Sequence, residues 1–579
     1  MKNSFYLVVS SISLLGVSLA AQIAGPARPP AVLKQTAAAA ASSGPDENFL
    51  ELAGEVPTAM PRNSAAVMNS HVAIYVERLA KSGAAIPQQT RALMAASKAA
   101  LNAKDYGRAY RFDVRAVGWA HGAAEVEGYE VAGSLAPALN RAIFADSEAI
   151  TITVRPQFAL GHPLTNRYTA ESWLETPSGP IAGTAQQLTV DALRDFHFDH
   201  PVPLLPDGIV AVGYRLVSSA GVTLAELKHA VVVAKDVQVR LDRMKARVAT
   251  VGPPTTAAQT PAFATALDTA NYIIRSLEQE RARFDDGSFG RSGSALGKYL
   301  IRLNWTAAKI PVASFPQFDA RLRYPQDVDF AESLVAELAT DPAALLKRAG
   351  DMALACASAT TDELLRFRLF VPERHDNAQK FSLIVALNSG AGDGEFFEFE
   401  NIVVRAPGET RENGFKRLAQ ERGCVVVCPK GGSVGFMGAR GESDVLEIIA
   451  RVQKTYSISA QRVFLTGWSG GSEAAWRIAL KYPDRFAAAA PVGVAPGIAR
   501  LLTLPAAERG RDLPLLFSVP GTEADQGRSI STAAKPLLRH FTYVEYPAAE
   551  HADVWLRALP AVFDFFAATG GAASAQALP

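Results

Sequence analysis

Apolar positions change their rhythm several times along the chain, and each change marks a boundary. Residues 5–19 form one short apolar run behind Lys2, closed by Ser18-Leu19-Ala20. A basic start, a short apolar stretch and small residues before a cut are the pattern of an export signal over 1–20. The run is shorter than the roughly 20 residues a membrane span needs. Residues 21–60 lose periodicity and are rich in Ala, Pro, Gln and Ser, a composition expected of a linker. Between 61 and 128 the apolar residues return at helical spacing, as in residues 92–101 and 110–117. One pair of these stretches resembles a single tetratricopeptide-type hairpin, but stacked repeats need at least three to bury a core, so ordinary helix packing is expected.

From 129 to 248 the pattern becomes short alternating, β-branched runs such as Ile150-Thr151-Ile152-Thr153-Val154, separated by turn residues. A small β-sandwich, immunoglobulin-like in character, is the expectation. Residues 249–262 read as a Pro/Thr-rich linker, and 263–358 as bracing helices, including a helical reading of 329–356. The remainder, 359–572, alternates apolar strand-like runs (366–371, 382–387, 424–428, 462–466, 486–490, 515–519, 542–546) with helical stretches near 410–421, 443–456, 471–481, 528–540 and 552–567. This texture predicts an α/β domain with a parallel sheet covered on both faces. Sites in such sheets lie at the carboxyl ends of the strands.

Composition narrows the function classes. With 58 basic and 57 acidic residues among 579, the net charge is +1. No single-sign field is available for a polyanion or an acidic membrane, so a nucleic-acid partner is not expected, and no later stretch is long and apolar enough for stable membrane insertion to be expected. An exported chain, secreted or periplasmic, fits the leader. Three cysteines are too few for a disulfide framework. Cys424 and Cys428 sit about 13 Å apart on an extended strand, beyond disulfide reach, and read as buried thiols. His197 and His200 lack a third ligand cluster and read as loop polar residues rather than a metal site.

Chemistry concentrates at Gly467-Trp468-Ser469-Gly470-Gly471, a G-x-S-x-G match. A chain of this length produces such a match by chance roughly one time in five, so context decides. A nucleophile elbow needs a strand running into the serine and a helix leaving it. Ser469 has both, whereas Ser433, in a second match over 431–435, is followed by more loop. Serine at its free pKa is a weak nucleophile and needs a histidine base oriented by a carboxylate, in the chain order Ser, acid, His. Of the two later histidines, His551 follows the last strand, while His540 precedes it. The acid belongs in the loop after 515–519, where Asp525 and Glu523 both qualify and the shorter Asp525 is favoured. Oxyanion donors are expected from the Gly470 N–H and from the loop after 382–387, at Gly390 and Ala391. Trp468 and Asn388 are the candidate substrate contacts.

Beyond the elbow, Leu369-Phe370-Val371-Pro372, Leu383-Ile384-Val385-Ala386-Leu387, Gly441-Glu442-Ser443-Asp444, Tyr482-Pro483-Asp484-Arg485-Phe486 and His551 with Trp555 complete a pattern. Residues 364–567 resemble the secreted α/β-hydrolase esterases that include polyhydroxybutyrate depolymerases and feruloyl esterases. The resemblance implies ester hydrolysis without a cofactor or metal, on a small-molecule or polymer-linked ester, and a structural role for Asp444. This sequence has Asn388-Ser389-Gly390 where that group usually has His-Gly. Two other readings share the residues: a serine peptidase of the prolyl-oligopeptidase kind, for which no blade-length repeat is visible, and a non-catalytic binding protein on the same fold.

Overall fold

The computed structural model describes residues 49–569 apart from 55, 58–59, 254–255, 257–259, 283–294, 308–322, 374–379, 389–413, 432–435, 437, 496, 503–504 and 552–553. The expected export signal, Ser433, Gly390 and Ala391 therefore lie outside the described residues.

Helices Arg62–Lys81, Gln88–Asn102 and Tyr106–His121 open the described chain, and Val126–Ser134 runs directly into strand β1. Asp105 caps the third helix by accepting the Arg108 N–H at 3.1 Å, which satisfies one of the helix's orphan donors. Two sheets follow. One contains β1 (Leu135–Leu139), β3 (Ala149–Pro156) and β7 (Phe196–Pro201). The other contains β2 (Ile143–Phe144), β4 (Tyr168–Thr176), β5 (Gly179–Pro180), β6 (Gln186–Val190), β8 (Gly208–Val217) and β9 (Thr223–Val233). Alternation sends Ile150, Ile152 and Val154 of β3 and Val210, Val212, Tyr214 and Leu216 of β8 into a common core.

That core does not stop at the boundary drawn near residue 128. Val72, Leu93, Tyr110 and Val117 of the helices share it with both sheets, as do Leu296 and Leu300 from helix Ala295–Ala307. Local periodicity separated helical from strand segments, but their apolar faces are buried against each other. Helix Thr260–Arg281 is buried on two sides: Ile273, Ile274 and Leu277 meet Val232 of β9, while Phe263 and Ala266 join the core beneath the second domain's sheet.

The helical reading of 329–356 is corrected. A helix spans Gln326–Leu338, but Gly350–Ala357 is a strand, β10, whose eight residues pair with β11 (Leu364–Val371) in antiparallel register. Its sequence, Gly-Asp-Met-Ala-Leu-Ala-Cys-Ala, is rich in alanine, a helix former, and only the long-range pairing with β11 makes it extended.

The remaining strands are β12 (Phe381–Leu387), β13 (Val425–Pro429), β14 (Ile458–Trp468), β15 (Ala488–Val492), β16 (Leu515–Pro520) and β17 (Phe541–Tyr546). Their order is β10-β11-β13-β12-β14-β15-β16-β17, and β11 alone runs against the rest. Alternate residues divide between two layers. Leu383, Val385, Val463, Leu465 and Phe517 face the layer of helices Ala439–Thr455 and Gly470–Lys481. Ile384, Ala386, Phe464, Ala490 and Leu516 face the layer of Gly414–Arg422 and Val554–Thr569. From β12 the chain winds to one side and from β14 to the other, so the point where the winding reverses lies between their carboxyl ends.

Candidate active site

Ser469 stands at the end of β14, immediately before helix Gly470–Lys481, with φ 57° and ψ −117°. A non-glycine residue at positive φ costs on the order of 1–3 kcal/mol and persists only where its surroundings enforce it. The enforcement is visible. The Ser469 N–H donates to the Val492 carbonyl at 3.1 Å, and the Ser469 carbonyl accepts from the N–H groups of Ser472 and Glu473 at 2.9 and 3.2 Å. Gly471 is pressed against the end of β12, where a Cβ would overlap the carbonyl oxygens of Leu387 and Asn388. The bend, the nearest helix turn and the switch point are thereby locked together, with the helix's positive end beneath the serine.

His551 arrives in the loop after β17. Its imidazole lies 5.4 Å, centroid to centroid, from the Trp468 ring, and the Trp468 indole N–H donates to the His551 carbonyl at 2.8 Å. Gly493, at φ 77°, lets the backbone pass beside the imidazole; a Cβ there would be 3.5 Å from His551 Cε1. Ser469 and His551 are thus brought to the same edge of the sheet. Nε2 of His551 is buried and has no hydrogen-bond partner among the described residues.

The favoured carboxylate was Asp525, and the geometry selects the other candidate. Glu523 Oε1 meets His551 Nδ1, and Glu523 Oε2 accepts the Val494 N–H at 2.8 Å. The two side chains are 10% and 14% exposed. Asp525 lies in the first turn of helix Ala524–Ala534, 92% exposed, and pairs with Arg528 at 2.7 Å. The short 3₁₀ turn Gly521–Glu523 directly after β16 turns Glu523 inward and leaves Asp525 on the solvent side.

Two expected substrate contacts are also corrected. Trp468 is 5% exposed and Asn388 1% exposed. Trp468 holds the histidine loop, and Asn388 lies beneath the elbow, so both are buried in the frame of the site. Gly470 occupies the expected place as the first residue of the elbow helix. Asp444 lies within helix Ala439–Thr455, 3.8 Å from Arg440. Among the described residues no group of three or more His, Cys, Asp or Glu side chains is arranged to hold a metal. His200 is buried and hydrogen-bonded to Ser172 at 2.8 Å, and its pKa is lowered to about 4 by burial.

One sequence signal was passed over. Ser472 and Glu473, the polar residues just after the elbow, both reach the segment that follows β15: Ser472 Oγ donates to the Gly493 carbonyl at 2.8 Å, and Glu473 accepts the Gly497 N–H at 2.9 Å.

Strand order, a single reversed strand and a strained serine between strand and helix define an α/β-hydrolase fold for the second domain. No protein-family model matches the chain, and no curated protein does. Among solved structures it is similar to an S-formylglutathione hydrolase from Staphylococcus aureus, at 16% identity over 38% of this chain and 98% of that one, with a TM-score of 0.30. A ferulic acid esterase gives 12% identity over 39% and 100% of the two chains, with a TM-score of 0.33. Dipeptidyl peptidase 4 from Porphyromonas gingivalis gives 14% identity over 38% and 35%, with a TM-score of 0.30.

Proposed function

We propose that this chain is a serine hydrolase that cleaves carboxylic esters through an acyl-enzyme on Ser469, with His551 as base and Glu523 as its orienting acid. The observation that carries this reading is the environment of the imidazole. Glu523 engages Nδ1, which leaves Nε2 as the basic atom, and Nε2 is buried at the elbow with no other partner among the described residues. The bond from Ser469 Oγ to Nε2 is not formed, as is common before substrate binds.

In the first step Nε2 takes the hydroxyl proton as Oγ bonds to the ester carbonyl carbon. The Gly470 N–H, at the helix N-terminus, faces the oxyanion that develops. The imidazolium, stabilised by Glu523, then returns the proton to the leaving alkoxide as the C–O bond breaks. Water, losing its proton to Nε2, attacks the acyl carbon, and the acid departs as Ser469 recovers its proton.

The short connection between β15 and β16 supports a polymer-linked ester as substrate. Between β15 and β16 the described chain forms only the short helices Ile498–Leu501 and Pro505–Arg509, with no large insertion to close over the serine. The apolar run behind Lys2 supports export. Among the described residues no helix is long and apolar enough to cross a membrane.

The test is a panel of aryl esters of rising acyl length, with and without a hydroxycinnamoyl group, beside a polymer-linked ester and peptide amides. Ester turnover with little amide turnover is the expected result. Preferential amide cleavage would move the chain to the peptidases, and rapid turnover of short soluble esters with none of the polymeric ester would remove the polymer reading.

A further inference from the structure

The segment after β15 is tied on both sides of the site. On the nucleophile's side, Ser472 Oγ donates to the Gly493 carbonyl at 2.8 Å and Glu473 Oε2 accepts the Gly497 N–H at 2.9 Å. On the acid's side, the Val494 N–H donates to Glu523 Oε2 at 2.8 Å, and the Gly493 N–H donates to the Ser518 carbonyl at 2.7 Å. Between these ties Gly493 lies against the imidazole of His551. The alignment of histidine and acid therefore depends on where this segment sits.

Glu473 is joined to both ends of that dependence. Its own N–H donates to the Ser469 carbonyl at 3.2 Å, the first full helical bond after the nucleophile. Its carboxylate reaches across to the segment's backbone, and Gly497 leaves it the room: a Cβ at Gly497 would overlap the Glu473 carboxylate. A carboxylate accepting a backbone N–H makes a stronger bond than a neutral acceptor does. The Glu473 carboxylate is engaged by the Gly497 backbone, so it acts through the neighbouring groups.

We infer that Glu473 is a positioning residue for acyl transfer: it clamps the segment carrying Gly493, Val494 and Gly497 to the nucleophile helix, and through Val494 it keeps Glu523 aligned on His551. The inference rests on the hydrolase reading of Ser469 and His551. Releasing the clamp lets the Val494 N–H leave Glu523, and the imidazolium loses its fixed carboxylate. The chemical step then slows, while groups that only bind the ester are untouched.

The experiment compares wild type, Glu473→Ala, Glu473→Gln and Gly497→Ala on a short aryl ester. Glu473→Ala is expected to lower kcat on the order of 10- to 100-fold, as small misplacements of catalytic groups do, with KM held within about twofold. Glu473→Gln retains an oxygen acceptor and recovers most of the loss. Gly497→Ala displaces the carboxylate without removing it and reproduces the Glu473→Ala loss. A folded Glu473→Ala protein with wild-type kcat overturns the inference, as does Glu473→Gln being as slow as Glu473→Ala. Should Glu473→Ala fail to fold, a near-wild-type kcat in Gly497→Ala overturns it instead. A wild type that leaves Ser469 unlabelled by a fluorophosphonate removes the hydrolase reading itself; labelling of Ser469 together with an unaffected clamp variant removes only this inference.

Discussion

Glu523 meets His551 through one carboxylate oxygen and takes the Val494 N–H at 2.8 Å with the other. A carboxylate so divided is fixed in rotation as well as in place, and it presents a single oxygen to Nδ1. The account therefore predicts that Glu523→Gln lowers kcat/KM by roughly 10³- to 10⁴-fold, the scale seen when an orienting carboxylate is replaced by its amide. Asp525→Ala, at an exposed side chain paired only with Arg528 among the described contacts, should stay within about twofold, because exposed ion pairs contribute little. Steady-state kinetics of the two variants on one aryl ester decide between the carboxylates, and the reverse ranking would return the role to Asp525.

The elbow makes a second prediction. Gly471 has no room for a side chain where it abuts the carbonyls of Leu387 and Asn388. Gly471→Ala must push the nucleophile helix away from β12, at a cost of about 1–3 kcal/mol for overpacking. A lowered denaturation midpoint and a large loss of turnover should appear together. Unchanged stability would show that the contact is loose.

A third prediction concerns the upstream module. Asp113 is fully buried in helix Tyr106–His121, accepts from Asn69 at 3.0 Å through Oδ1, and has no partner for Oδ2 among the described residues. Burial raises its pKa to about 8, against the opposing hydrogen bonds from Asn69 and Ser97. The native state thus keeps a proton that the unfolded chain releases near pH 4. The associated stability is complete below about pH 4 and is lost as pH rises toward about 8. Urea midpoints of the wild type should fall across that window, and Asp113→Asn should flatten the fall. An identical pH slope in the variant would contradict the assignment.

The thiols provide a fourth. Cys356, Cys424 and Cys428 are all buried and none is in a disulfide, and burial raises Cys356 and Cys424 to about 12. Thiolates are the reactive form. Titration with an aromatic disulfide at pH 8 should find almost no reactive thiol in the native protein and three after denaturation. Rapid native labelling would indicate that β10 or β13 opens readily.

The features legible in the sequence were those written locally. A strand, a G-x-S-x-G turn and a helix in succession located Ser469, and the position after the last apolar run placed His551 at the same edge of the sheet. The unbroken apolar runs in 382–387 and 462–466, separated by helical stretches, pointed to a sheet covered on both faces. The remainder depended on contacts between distant residues. Chain proximity could not separate Glu523 from Asp525, because the 3₁₀ turn that sends one inward and the other outward is set by packing after β16. The strand β10 was hidden because its alanine-rich sequence suits a helix until β11 pairs with it. Trp468 looked available to a ligand because a motif does not reveal that its indole is spent on the His551 carbonyl. The core shared by the helices and the two upstream sheets was invisible for the same reason, since periodicity reports which face is apolar and not what covers it.

Whether Ser469 is a nucleophile activated by His551 is decided by reaction with a fluorophosphonate, read by mass spectrometry of the modified peptide. The account predicts one adduct on Ser469 in the wild type, none at that site in Ser469→Ala, and labelling slowed by at least about 10³-fold in His551→Ala. An inert wild type, or an adduct carried on Ser433 instead, would contradict it.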